Sequence, residues 1–484
     1  MLVLALESST SAAKAMLYDT QAGCVALEQE PYGPAVSRGG QADTELVLEA
    51  TLRAGRRAAA GRDVAAVAVC GTWHSLGVCN ARMEPVTPTF TWEFTGTAEL
   101  CARMRQDRDL WDYFYRRTGC PPHCTYPRHA LQYLRETGLT LGDKRFITQG
   151  AYTFYRLTGE VRESVSTQCG TGVINIHRLC YDREILAYLG VREDQFGALA
   201  TLEDTAPLSP AGAALLGVAS GIPVVPAHPD GALNQIGNYA NLPGRMTLSV
   251  GTSAAMRVVS ERPVFPENRE LWCYYGVNSW ISGAATAGAC NCINWFCDTQ
   301  LENRYTFAEM DRRAEEVREV PVFLPFLYGE RCPGWHDGAE AAFFGLRPGH
   351  TAGNLYRAVE MGVLFNLKQC YEILCRENGV PERLVVSGGI VNSPQWSQML
   401  ADIFERELLV VKNPHASCAG AAALALHAAG ALADVNAFQS ETREARAVLP
   451  GAAPRAYYER EYGRYLECYA RMTEEEEKNG KKLC

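Results

Sequence analysis

The sequence predicts an α/β protein built from two similar domains facing each other across a cleft. Three observations carry this. At 484 residues the chain exceeds what one hydrophobic core can organise. Apolar strand-like runs at residues 2–6, 65–70, 247–250 and 384–386 alternate with helical patterns at 44–60, 355–376 and 395–404. Finally, one strand–turn–strand design occurs twice, about 240 residues apart.

Taken in order, residues 2–6 form a buried strand that turns through Glu7-Ser8-Ser9-Thr10-Ser11 into a second strand at 15–18. Residues 44–60 have the apolar spacing of a helix, and 65–70 read as a strand ending at Gly71-Thr72-Trp73-His74-Ser75. The polar Pro/Gly segment 241–244 marks the domain break, giving an N-terminal domain of 1–244 and a C-terminal domain of 245–484. The second unit follows at once, 246–250 turning through Gly251-Thr252-Ser253 into 255–259. A tight turn of this kind points successive N–H groups and hydroxyls into one concavity, which suits phosphate oxygens, although many such turns are merely solvated. The charged end, 474–482, reads as a surface helix that frays.

Composition is that of a globular protein, 47% hydrophobic and 21% charged, so a large core is affordable. The net charge of -9, with no basic stripe, argues against nucleic acid as a partner. The apolar start is too short for a signal peptide, and 419–432 is shorter than the ~20 residues of a membrane span. A membrane is therefore not expected either. The 18 cysteines are scattered, and the close pairs Cys120/Cys124 and Cys290/Cys292 lack a matching pair at zinc spacing. They read as small buried hydrophobes in a reducing cytoplasm.

Phosphoryl transfer requires a phosphate cradle, a divalent metal, a base and a nucleotide shelf. Asp230, after the apolar approach 224–229 and before a helix start, is the candidate base; the alternative is a helix N-cap. Gly388-Gly389, after a buried strand and before Asn392, lets a flat ring approach the backbone, or is simply a strand-to-helix turn. Trp73 offers a face to sugar C–H groups and His74 a hydrogen bond to a hydroxyl, unless both are core residues.

The order of these segments resembles the FGGY family of carbohydrate kinases over nearly the whole chain. Its most specific piece is Phe323-Leu-Pro-Phe-Leu-Tyr-Gly-Glu-Arg-Cys-Pro-Gly-Trp335, ending Phe343-Phe-Gly-Leu346, beside the family's PYLxGERxPxW…GxFxGL block. Further matches are Arg117 to His123, Ile281 to Trp295, Ser387-Gly-Gly389 and Ser417-Cys-Ala-Gly-Ala421, and they look closest to gluconate kinases, with xylulose kinases next. The resemblance implies two actin-like, ribonuclease-H-like ATPase domains around a central cleft, using ATP and Mg²⁺ to phosphorylate a small sugar or sugar acid. A homodimer is the candidate assembly. It also implies Asp230 as catalytic base, with Thr10, Ser11 and Lys14 as the first phosphate motif and Gly251, Thr252 and Ser253 as the second. Gly388, Gly389 and Asn392 would hold adenosine, and Trp73 and His74 the sugar.

Three departures from the family pattern stand out. The first motif usually reads Asp-x-Gly-Thr and is Glu7-Ser8-Ser9-Thr10 here, so Glu7 inherits the Mg²⁺ role and Ser9 requires a turn without positive φ. The TWxDxR acceptor segment is Thr91-Trp-Glu-Phe-Thr-Gly96, leaving Glu93 as the substitute carboxylate. The usual Glu-Gly pair of the long helix is Met361-Gly362. These departures are what support a second reading, a non-catalytic sugar or nucleotide sensor on the same fold. A chaperone-like ATPase is disfavoured, since the chain lacks a separate peptide-binding domain.

Overall fold

The computed structural model describes residues 1–315, 317–413, 415–439, 445–451 and 454–480, the side chains of 474–480 excepted. Two large sheets form its frame. The first runs Ala206–Pro207, Pro223–Pro229, Val64–Gly71, Leu2–Ser8, Ala12–Asp19, Gly23–Pro31. The second runs Trp272–Tyr275, Trp280–Thr286, Ala254–Ser260, Arg245–Val250, Arg383–Ser387, Leu408–Val411, Ala445–Val448.

Their central strands are used in the same way. Leu2–Ser8 is antiparallel to Ala12–Asp19 and parallel to Val64–Gly71, which is parallel to Pro223–Pro229. Arg245–Val250 is antiparallel to Ala254–Ser260 and parallel to Arg383–Ser387, which is parallel to Leu408–Val411. Strands covered on both faces read as unbroken apolar runs. Val3, Leu4, Ala5 and Leu6 are all 0% exposed, which is why this strand was legible without alternation.

Parallel neighbours need crossovers, and these hold the helices. Thr44–Ala59 lies between the first parallel pair, with Asp43 as N-cap accepting from the Leu46 N–H at 2.9 Å. Ala352–Asn378 occupies the corresponding place in the second half, and Pro394–Phe404 leads to the next strand. Whereas the helix expected at 44–60 stops at Ala59 with Ala60 as a left-handed cap, most elements run one to three residues beyond the pattern that announced them. Leu2–Ser8 therefore takes Glu7 and Ser8 into the strand and leaves only 9–11 as the turn.

Between these elements lies an elaboration that the hydrophobic pattern does not show. Its sheet joins Ser37–Arg38, Gln41–Ala42, Thr89–Thr91, Ser75–Cys79 and Arg145–Ile147, strands of two to five residues that are too short for a readable alternation. The helix Arg455–Gly480 takes in the start of the charged end; side chains from 474 on, and residues 481 and 482, lie outside the described residues.

The two halves meet where the helices Asp230–Gly237 and Ala416–Ala428 pack against each other. A methyl group on Gly237 would overlap the Ala416 carbonyl, and one on Gly420 the Leu233 carbonyl. Backbone therefore lies directly on backbone at this crossing, and glycine is required at both positions.

Candidate active site

Parallel strands bring their carboxyl ends to one edge, and the register fixes what stands there. Glu7 is opposite Cys70, His228 opposite Cys70, and Pro229 opposite Gly71. The first turn, Trp73-His74 and Asp230 consequently share that edge.

Asp230 is the first residue of its helix, with Pro229 in the cap position, so its carboxylate is not an N-cap. Among the described residues, Oδ1 accepts only from the next N–H, that of Gly231, at 2.7 Å. Burial pushes the Asp230 carboxyl up; the charge of Arg257 pulls it back, and that of Glu7 adds to the rise. Asp230 thus stands within electrostatic reach of Glu7 and Lys14 at the first turn. It also faces Arg257, on the strand that leaves the second.

Glu7 is 3% exposed. Its Oε1 lies 3.3 Å from Lys14 Nζ, and its Oε2 accepts from Ser417 Oγ and Cys418 Sγ, both at 2.9 Å. Burial is the largest single influence and lowers the Lys14 ammonium, but the Glu7 charge and hydrogen bond together with Cys418 and Cys70 outweigh it and leave the group raised. Ser9 takes no positive φ; its N–H and hydroxyl both reach the Ala12 carbonyl, at 3.1 and 2.7 Å. The turn that a glycine usually makes is therefore closed by the serine side chain. Thr10 Oγ1 accepts from the Trp92 indole at 2.8 Å, and Ser11 is exposed.

In the second half, Gly251 N–H bonds to the Ser253 carbonyl at 3.0 Å, while the Gly251 and Thr252 carbonyls accept from Cys290 and Asn291 at the start of a helix. Gly388 has φ 92°, and a methyl group there would overlap the Val250 carbonyl. At Gly389 a methyl would sit 3.0 Å from Cys290 Sγ. Gly251, Thr252, Ser253, Gly388 and Gly389 thus converge on one strand end. Asn392 stands apart, exposed, in a groove of about 450 Å³ with Val391, Pro394, Val410, Lys412 and Arg446. A larger hollow of about 580 Å³, lined by Pro34, Arg38, Thr44 and Thr87, contains none of the predicted residues.

Trp73 departs from expectation. At 4% exposure it is not an open face: its indole donates to the Ser166 carbonyl at 2.8 Å, and its ring is wedged against Gly231, Trp272 and Tyr274. His74 Nδ1 lies 2.6 Å from the Gly170 carbonyl, which can only accept, so Nδ1 carries the proton. Burial, helped by the Arg331 charge, pushes the imidazole down to about 3. It is neutral, and Nε2 keeps its lone pair for a hydroxyl. Glu93 is exposed, without a partner among the described residues, and partial desolvation raises its carboxyl.

The family models decide the matter. One, the FGGY family of carbohydrate kinases, N-terminal domain, matches residues 2–237, and the C-terminal domain of the same family matches 246–429. The chain belongs to the FGGY family of carbohydrate kinases. Among relatives of this FGGY kinase, a gluconokinase of Bacillus subtilis is 27% identical over 451 residues, 88% of each chain. A xylulose kinase of Escherichia coli is 28% identical over 423 residues, 84% of this chain and 85% of the relative. The crystal structure of gluconate kinase from Lactobacillus acidophilus superposes with a TM-score of 0.89 at 25% identity, over 98% of both chains. The FGGY kinase moves a phosphoryl group from ATP to a hydroxyl of a sugar or sugar acid.

Two FGGY kinase residues at this edge escaped the sequence reading. Arg257 and Arg331 come from the C-terminal half and carry no spacing signature; Arg331 lay inside the quoted block without a role. A third group, His123, Cys124 and Asp337, brings ligand-type atoms within 4.8 Å of one another. Asp337 Oδ2 also takes Arg105 at 2.7 Å, and Oδ1 takes His123 Nε2 at 2.9 Å and Cys124 Sγ at 3.0 Å. An arginine on the carboxylate makes this an ion-pair clasp between the halves, with its hydrogen bonds already made.

Proposed function

We propose that this kinase phosphorylates a gluconate- or xylulose-like acceptor with Asp230 as general base. The observation that supports this is the placing of Asp230 just past the carboxyl end of a parallel strand, within electrostatic reach of Glu7, Lys14 and Arg257. As the acceptor oxygen attacks the γ-phosphorus, its proton passes to the Asp230 carboxylate and ADP departs. His74 Nε2 accepts from a second hydroxyl and orients the acceptor, with Glu93 at the pocket margin. Thr10, Ser11, Lys14, Gly251, Thr252 and Ser253 bind the phosphates; Gly388, Gly389 and Asn392 hold the adenosine.

Glu7 offers hard carboxylate oxygens at this edge, and its charge raises the Asp230 carboxyl, an excess of negative charge that a divalent cation held by Glu7 would relieve. That donor set fits Mg²⁺, which when bound would neutralise phosphate charge. The working division of the chain is 1–244 and 245–484. No helix among the described residues is long and apolar enough to cross a membrane. A cytoplasmic homodimer is the assembly to test by sedimentation.

The decisive assay is ADP release by Asp230→Asn with gluconate and xylulose. Turnover should fall about 10²- to 10⁴-fold while ATP still raises the melting temperature. A variant with undiminished turnover would remove Asp230 from the role.

A further inference from the structure

The charges at this edge do not balance. The side chains of Arg257, in Ala254–Ser260, and Arg331, in the loop after Val322–Leu324, make no hydrogen bond or ion pair with any described residue. In both, Nε is buried without a partner. A guanidinium is a fork of five donors and is rarely left so. Arg331 lies 5.7 Å from the Trp92 ring and acts on His74, Tyr126 and Tyr274. Arg257 acts on Asp230, Arg331 and Tyr274. The two cations therefore share one aromatic-walled space with His74.

The other groups facing that space leave an anion missing. His74 is neutral, because its Nδ1–H is committed to Gly170. Asp230 supplies one negative charge. The Glu7 carboxylate is already taken by Lys14, Ser417 and Cys418, and Glu330, beside Arg331, accepts from Tyr469 and Gly334. Neither guanidinium is hydrogen-bonded to a carboxylate among the described residues, and Asp230 is the one acid that acts on Arg257.

We propose that Arg257 and Arg331 bind the carboxylate of the acceptor, making this enzyme a kinase of sugar acids rather than of neutral ketoses or polyols. The inference rests on the proposed acceptor site at Asp230. A carboxylate accepts two parallel N–H bonds from a guanidinium, a geometry that a hydroxyl or carbonyl cannot reproduce. His74 Nε2 would take a hydroxyl of the acid between the arginines and the base.

The test compares D-gluconate with D-glucitol and D-xylulose, using the full chain with Mg²⁺ and ATP and following ADP. Wild type should show kcat/KM for gluconate at least about 10²-fold above either neutral acceptor. Arg257→Met and Arg331→Met should each lower that ratio about 10- to 100-fold, through KM for the acid, with KM for ATP within about twofold of wild type. Arg331→Lys should recover part of the loss. Retained stabilisation by ATP shows that the variants fold; if neither folds, the wild-type preference alone decides. Xylulose or glucitol used as well as gluconate overturns the inference and leaves the kinase reading intact. Equal losses for all acceptors with a raised KM for ATP would put the arginines on phosphate and overturn it too. No ADP from any acceptor sinks the acceptor site together with the inference.

Discussion

Asp230 owes its place to its neighbour. Proline at 229 ends the strand in an extended conformation (φ -80°, ψ 144°), and the next residue begins the helix, so the carboxylate leaves the sheet edge instead of folding back as a cap. Burial raises its pKa, and the sign follows: a base must be ionised, so activity is lost as pH falls through the raised value. The acidic limb of kcat/KM against pH should therefore lie above the ordinary carboxylate range near ~4, and a limb at or below that value would contradict the assignment. The same shift disfavours the charged form in the fold, so this group contributes less stability as pH rises through the folded value.

Gly388 gives a second prediction at this scale. With φ 92° and the Val250 carbonyl against it, Gly388→Ala should raise KM for ATP about tenfold or more, since strain of this kind costs about 1–3 kcal/mol. An unchanged KM would mean that the loop does not meet the nucleotide. Of the residues here, the positions of Asp230, His74 and the glycines at strand ends were legible, because turn chemistry and strand ends have local signatures. Arg257 and Arg331 were not, because an arginine in a strand or loop acquires meaning only when the opposite sheet faces it. The burial of Trp73 has a similarly remote cause, since it depends on Trp272 and Tyr274, about 200 residues away.

At the level of elements, strands buried on both faces could be read as plain apolar runs, and the amphipathic helices by their spacing. The short strands around Ser75–Cys79 could not, since five residues or fewer hold too little pattern. The glycines in the crossing helices were equally silent: Ser417-Cys-Ala-Gly-Ala421 stood out as a family match, but a Gly inside a helix shows no partner. The structure supplies it. Because a methyl at Gly237 or Gly420 overlaps a carbonyl of the other helix, Gly237→Ala and Gly420→Ala should each destabilise by at least about 1–3 kcal/mol in thermal unfolding. If Gly420→Ala melts at the wild-type temperature, the helices are not packed this closely.

For the whole molecule, duplication of the strand–turn–strand unit was visible in sequence and is present as two sheets of like topology. What binds the halves together was hidden, because it pairs residues far apart: Arg105 meets Asp337 across 232 positions. Burial opposes ionisation of Asp337, but His123 and Arg105 hold its carboxyl well below the usual range. Such a group contributes stability above the unfolded value near ~4 and loses it as pH falls through the depressed folded value. Asp337→Asn should cost about 3–5 kcal/mol at neutral pH, since Arg105 is left buried without its counter-charge, and the deficit should shrink in acid. Urea unfolding at both pH values checks this; a deficit independent of pH would sink the ionic account.

The packing of Trp73 against Trp272 has one more outcome. Their ring centroids lie 5.6 Å apart at 65°, yet one indole belongs to the first half of the chain and the other to the second. Two chromophores so near and so inclined exchange excitation, which leaves a paired signature in near-ultraviolet circular dichroism. Any separation of the halves weakens that signal steeply, so the unlabelled protein carries its own optical ruler for the gap between them.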